Sequence, residues 1–224
     1  MTVSAMPIVR EQLVDVTAGS AVLGGTLRVP ERSLGIVLFA HGSGSGRRSP
    51  RNRRVAELLN EARLATLLFD LLTSEEEAVD ALTGDLRFNI DLLAQRLIGA
   101  TDWLTQRADI AHLPIGYFGA STGAAAALVA ATERSNLVRA VVSRGGRPDL
   151  AGPVLPFVRA PTLLIVGGND TQVIELNRAA FAELNCEKRL VIVPGASHLF
   201  EEPGALDEVA RLASDWYQSH LPRR

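Results

Sequence analysis

The stretch IGYFGASTGAAAALVAA, Ile115 to Ala131, decides how this chain is read. Its first residues, Ile115–Gly119, are an apolar run of strand length, and Ala124–Ala131 is a helix-forming run rich in alanine. Between them stands Gly119-Ala120-Ser121-Thr122-Gly123, a G-x-S-x-G pattern. Five residues alone are a weak signal, since most chance matches are ordinary turns. Set between a strand and a helix, the pattern predicts a sharp turn that exposes the serine oxygen. Its flanking residues must be small because the backbone folds back closely on itself. The alanines then let the helix lie close on a sheet. Ser121 is the candidate nucleophile.

The same alternation extends both ways along the chain. Gly35–Ala40, Thr66–Leu72, Val138–Ser143, Thr162–Val166 and Leu190–Val193 are mostly continuous apolar runs. Strands buried on both faces of a sheet read this way. Leu13–Val16 and Ala21–Val29, flanking Thr17–Ser20, predict an antiparallel hairpin at the sheet edge. Ile90, Leu93, Leu97 and Leu104 share one face of a helix over about Asn89–Arg107, and Leu206, Val209, Leu212 and Trp216 share another. Ser49 before Pro50 supplies an N-cap and first-turn proline for a helix through Val55, Leu58 and Leu59. No internal repeat or linker breaks the pattern. The expectation is one α/β domain over residues 1–224, with helices on both faces of the sheet.

A serine hydroxyl needs a base to take its proton. Of four histidines, His220 lies near the end of the chain and is expected to be solvated. His112 precedes a strand, at the end of the sheet away from Ser121. His41 follows a strand but adjoins a glycine loop with another use. His198 follows Leu190–Val193 through a short loop, which puts it at the edge that carries Ser121. The imidazole needs an orienting carboxylate. Asp170 follows Thr162–Val166 at that edge, and its rival Asp70 ends Thr66–Leu72, where such a residue often satisfies loop donors instead. For the oxyanion, the backbone N–H of Thr122 is one expected donor, and that of Ser43, in His41-Gly42-Ser43-Gly44-Ser45-Gly46, is the other. That loop is not a phosphate cradle of the dinucleotide or P-loop kind, because both patterns require glycine where Arg47 stands.

Bulk composition narrows the function classes. The 224 residues are 47% hydrophobic and 21% charged, enough apolar material for a full core. A formal net charge of −2 gives no general pull toward nucleic acid or an anionic membrane. Met1 to Arg10 lack the pattern of a secretory signal, and no apolar run approaches the roughly 20 residues of a membrane span. A lone cysteine, Cys186, cannot form an internal disulfide and reads as a small filler before a strand. These features predict a cytoplasmic protein, monomer or homodimer, with a small-molecule substrate and no cofactor or metal.

Taken together, GASTG, HGSGSG, the acid in VGGND and the base in GASHLF resemble the α/β-hydrolase family, in its order of nucleophile, acid and histidine. The resemblance covers nearly the whole chain. It implies a mostly parallel eight-stranded sheet and acyl transfer to water through an acyl-serine. The short chain looks most like the dienelactone hydrolase group. That group's elbow commonly carries cysteine where this chain has Ser121, and its arginine four residues beyond the histidine, which helps bind a substrate carboxylate, is replaced here by Glu202. The fold carries over from the resemblance and the substrate does not.

A cap is often inserted in this family after the strand that here reads VRAVVS, but only Arg144–Pro161 separates that strand from the next. The expectation is a capless, open site for small or short-chain acyl groups. Arg47, Arg48, Arg51, Arg53 and Arg54 gather where the glycine loop enters its helix, and Arg87 and Arg144 are placed to approach the same edge. Positive side chains are unfavourable at a helix N-terminus, so local stability is a poor reason for Arg51 to stand there. Arg51, and by their placement Arg87 and Arg144, are candidate contacts for an anionic substrate. The bland reading of the cluster is a solvated basic surface. The sequence leaves open an acyltransferase or lyase on the same scaffold, and a non-catalytic binding protein that keeps the fold.

Overall fold

Runs of Leu, Val, Ile and Phe without a polar face are stable only when both sides of the strand are covered. The computed structural model, which describes residues 9–221, arranges them in this way. The reading of the first residues as lacking a leader falls largely on residues 1–8, which lie outside the described residues. The strands are β1 (Val9–Ala18), β2 (Ala21–Pro30), β3 (Gly35–Ala40), β4 (Leu64–Phe69), β5 (Ile115–Ala120), β6 (Val138–Arg144), β7 (Thr162–Gly167) and β8 (Lys188–Val193). They form one eight-stranded sheet in the order β1-β2-β4-β3-β5-β6-β7-β8. β1 with β2 and β2 with β4 are antiparallel, and every other pairing is parallel.

Six helices cover the sheet: α1 (Pro50–Glu61), α2 (Ser74–Thr83), α3 (Ile90–Thr105), α4 (Thr122–Glu133), α5 (Thr171–Glu183) and α6 (Ala205–His220). One face packs Phe39, Phe118 and Val142 against α1 and α6, through Val55, Leu59, Val209 and Tyr217. The other packs Leu38, Tyr117 and Val141 against α3 and α4. No residue of β3, β5 or β7 is exposed, as the continuous apolar runs require, whereas β8 is only half covered at the sheet's edge. The connection after β6 holds a 3-10 segment, Pro148–Phe157, and no cap.

The structure corrects several local expectations. The hairpin strands are ten residues each and turn on Gly19-Ser20 alone; Thr17 and Ala18, read as turn residues, pair with Val22 and Ala21. Gly19 has a positive φ of 63°, the backbone of a two-residue hairpin turn. β4 ends at Phe69: the Asp70 N–H still donates to the Gly24 carbonyl of β2 (3.0 Å) while its side chain binds Arg47, and the Leu71 N–H turns away to His41. β6 runs one residue further, through Arg144. His220 is not solvated: it stacks on Trp216, bonds the Trp216 carbonyl and approaches Glu187.

α2 has no apolar face to announce it, but its ends are marked in the sequence. Thr73 and Glu76 form a capping box, and Gly84 closes the helix in the left-handed conformation.

Candidate active site

The turn between β5 and α4 is sharp enough to place Ser121 at φ 50° and ψ −122°, a backbone that residues with a Cβ rarely adopt. The surrounding glycines permit it. A Cβ on Gly119 would lie 2.5 Å from the Ala124 Cα, and one on Gly123 would collide with the Ala40 carbonyl. β6 clasps the turn from the side: the Ser121 N–H donates to the Arg144 carbonyl (3.4 Å), and the Arg147 N–H donates to the Ser121 carbonyl (3.0 Å).

Asp170 and His198 arrive from the next two strands. Asp170 is the N-cap residue of α5, yet its side chain bonds none of that helix's N–H groups. Its Oδ2 instead lies 2.6 Å from the His198 Nδ1, so the carboxylate fixes the ring. The acid side chain is 15% exposed and the imidazole 39%. The imidazole stands over the end of β6, because a Cβ built on Gly145 would lie 3.6 Å from its Nδ1. Glu202 holds the loop in shape by accepting the Ser197 N–H (3.0 Å), and the Ser197 side chain, followed by that N–H, keeps its carboxyl below the usual glutamate range. The Ser121 Oγ makes no hydrogen bond to His198 within 3.5 Å. Catalytic contacts in free sites are often long and tighten around substrate.

The two expected oxyanion donors are unengaged. Thr122 is the first residue of α4, where a helix leaves its N–H groups without acceptors. The Ser43 N–H donates to no backbone or side-chain group among the described residues. The glycine loop passes tightly beside the nucleophile: a Cβ on Gly42 would stand 2.9 Å from the Ser121 Cβ.

His41 anchors that loop. It is buried, its Nδ1 lies 3.0 Å from the Gly42 carbonyl, and its Nε2 accepts the Leu71 N–H at 3.0 Å. This pattern requires a neutral ring with the proton on Nδ1. Burial pushes the His41 pKa below the ordinary histidine value, against smaller opposing effects of the Gly42 carbonyl and Asp70. An unfolded histidine titrates near roughly 6.5. Below that pH the unfolded chain takes up a proton that the folded ring resists, so stability must fall as pH falls. Denaturant unfolding between about pH 7 and 5.5 should show this slope, and His41→Gln should flatten it. An identical slope in the variant would show that another group is responsible.

Asp70 serves the loop as well. Its Oδ1 accepts the Arg47 N–H (2.8 Å), and its other oxygen pairs with the Arg47 guanidinium. The basic cluster is largely answered by acids: Arg51 meets Glu201 at 2.9 Å and Arg54 meets Asp207. Arg87 spends its Nε, Nη2 and backbone N–H on Asp80. Arg48 and Arg53 are exposed. Arg51 and Arg87 nevertheless line a cavity of about 690 Å³ that opens from Gly42 and Ser43 and runs over the end of β4 to α2. The cavity begins at the oxyanion loop and is not itself walled by Ser121 or His198. Arg144, the third expected substrate contact, lies elsewhere, buried at the end of β6.

Among the described residues no group of three or more His, Cys, Asp or Glu could hold a metal ion, and no helix is long and apolar enough to cross a membrane.

No protein-family model matches the chain. The solved structure of a dienelactone hydrolase from Anabaena variabilis ATCC 29413 is 63% identical, with a TM-score of 0.93 over 95% of this chain and 99% of that one. Est1E from Butyrivibrio proteoclasticus, 15% identical, shares the fold at a TM-score of 0.76 over 92% of this chain and 98% of its own. Two Mycobacterium tuberculosis proteins (strains CDC 1551 / Oshkosh and ATCC 25618 / H37Rv), each named "Putative phosphoribosyl transferase", are 59% identical over 97% of this chain. The match takes up 48% of each, so the chain spans about half the length of these curated relatives. Near-complete mutual coverage at 63% identity settles the family: the chain belongs to the α/β-hydrolase family, in its dienelactone hydrolase group.

Proposed function

We propose that the protein is a serine esterase acting on small ester-like substrates. The esterase-type fold supports ester hydrolysis in general. The finer reading is carried by one observation: the Asp170–His198 contact stands at the sheet edge that also carries Ser121 in its strained turn. In this reading His198 takes the Ser121 proton at Nε2 as Oγ attacks the carbonyl carbon. Asp170 holds Nδ1–H and stabilises the imidazolium. The Ser43 and Thr122 N–H groups receive the carbonyl oxygen as it becomes negative. The imidazolium then protonates the departing alkoxide, leaving an acyl-serine. Water, deprotonated by His198, attacks this ester and frees the acid and Ser121. No cofactor or metal is needed for any step.

The phosphoribosyl transferase name of the longer relatives fits better the portion this chain does not span, since the chain matches 99% of the dienelactone hydrolase structure. Transfer of the acyl group to an acceptor other than water uses the same groups and differs only in the product. A fluorophosphonate probe should modify Ser121 and no other serine, located by peptide mass analysis. An unmodified Ser121 in folded protein would overturn the reading. Product analysis with and without an added amine or alcohol separates hydrolysis from transfer.

A further inference from the structure

Among the described residues Arg144 is the only arginine that is buried, at 7% exposure. Its Nε and Nη1 are enclosed without a hydrogen-bond partner, and Nη2 also makes none but keeps contact with solvent. No acid answers it. The one charge that acts on it is that of Arg51, another cation, and burial followed by Arg51 pushes its pKa down to about 10. An unpaired buried charge costs a protein far more than a surface ion pair returns. The neighbouring arginines pair with Asp70, Glu201, Asp207, Asp80 and Asp149, so carboxylates are plentiful here and withheld from this one site.

Its position is as specific as its chemistry. The Arg144 carbonyl accepts the Ser121 N–H, and the next residue, Gly145, lies against His198. Strand alternation puts Arg144 on the same side as Ala140 and Val142, facing α1 and α6. α1 begins there with no acid in its first turn, so its positive end is unneutralised, and Arg51 of that turn also walls the cavity at Ser43.

We propose that Arg144, assisted by Arg51, is the specificity residue of this site and binds a carboxylate or phosphate group carried by the ester substrate. This deepens the esterase reading and rests on it. Neither edge of the guanidinium is spent on a protein acceptor, and Nη2, the nitrogen in reach of solvent, is where an incoming oxyanion would first make contact.

The experiment compares esters alike except for a distal neutral, carboxylate or phosphate group. The wild-type protein should favour one or both anionic esters in kcat/KM, and the better of the two identifies the oxyanion. Arg144→Met should lose about 10–100-fold on that ester, chiefly through KM, and stay within about 2-fold on the neutral one. The control Arg53→Ala should change neither. In anion-free buffer Arg144→Met should melt no lower than wild type, because a buried charge without a partner has been removed. A structural arginine would lower the melting temperature and slow all esters alike, which would overturn the proposal.

A separate arm keeps the site distinct from the triad. Inorganic phosphate and succinate are added to Ser121→Ala, and the better-matched anion should raise its melting temperature but not that of Ser121→Ala with Arg144→Met. If the wild-type protein favours no anionic ester and neither anion stabilises Ser121→Ala, the proposal falls, whether or not Arg144→Met folds. Should Ser121→Ala keep full esterase activity, the triad reading falls, while anion binding at Arg144 is still decided by the melting shift.

Discussion

Replacing Ser121 by alanine should lower kcat for a small ester by roughly 10⁶-fold, the loss seen when a hydrolase nucleophile is removed from an otherwise intact triad. The fold should be unaffected. Alanine has the same Cβ as serine in the left-handed backbone at φ 50°, and the Ser121 Oγ holds no hydrogen bond that folding would miss. Activity and melting temperature should therefore separate cleanly. The measurement is steady-state turnover beside thermal unfolding of the same preparation. A folded Ser121→Ala protein with full esterase activity would show that the chemistry belongs to another group.

Asp170→Asn should cost on the order of 10⁴ in kcat. Asp170 meets the Nδ1 of His198 at 2.6 Å with a side chain only 15% exposed, so little water can take its place. An asparagine amide turned toward that nitrogen would donate to it and drive the ring proton to Nε2, the atom that must accept from serine. The comparison that discriminates is Asp70→Asn. Asp70 binds the Arg47 N–H and guanidinium, so its loss should loosen the glycine loop and leave the imidazole tautomer alone. A crippled Asp70→Asn together with a harmless Asp170→Asn would reverse the assignment of the acid.

Much of this arrangement is legible in the residues, for reasons that differ from place to place. Strands buried on both faces must be apolar throughout, so β3, β5 and β7 announce themselves. A strand-to-helix turn too tight for side chains must be lined by glycine, so Gly119 and Gly123 mark Ser121. Asp170 and His198 follow because loops after parallel strands all emerge at one edge. The end of β4 is not legible in this way: the Asp70 side chain and the Leu71 N–H serve a loop about 25 residues earlier, and such a contact leaves no local periodicity.

Arg144 shows the limit more clearly. A charged residue after VRAVVS reads as the start of a loop, since arginine is almost never buried unpaired. Only the register of β6 against Ala120 and Ile165 shows that the strand continues through it. The basic run Arg47–Arg54 misleads in the opposite sense. Its charges look free in sequence, whereas the fold brings Asp70, Glu201 and Asp207 to three of them.

The placement of the three groups across the sheet bears on how the enzyme fails. Ser121 leaves β5, fully buried and paired on both sides, whereas His198 leaves β8, half covered and paired on one. Peripheral strands open with less free energy than central ones. Amide protons of β5 should outlast those of β8 in solvent exchange, and mild denaturant should detach the histidine before it disturbs the elbow. Such a molecule would go silent while still largely native, and would recover its activity as soon as the margin re-docked.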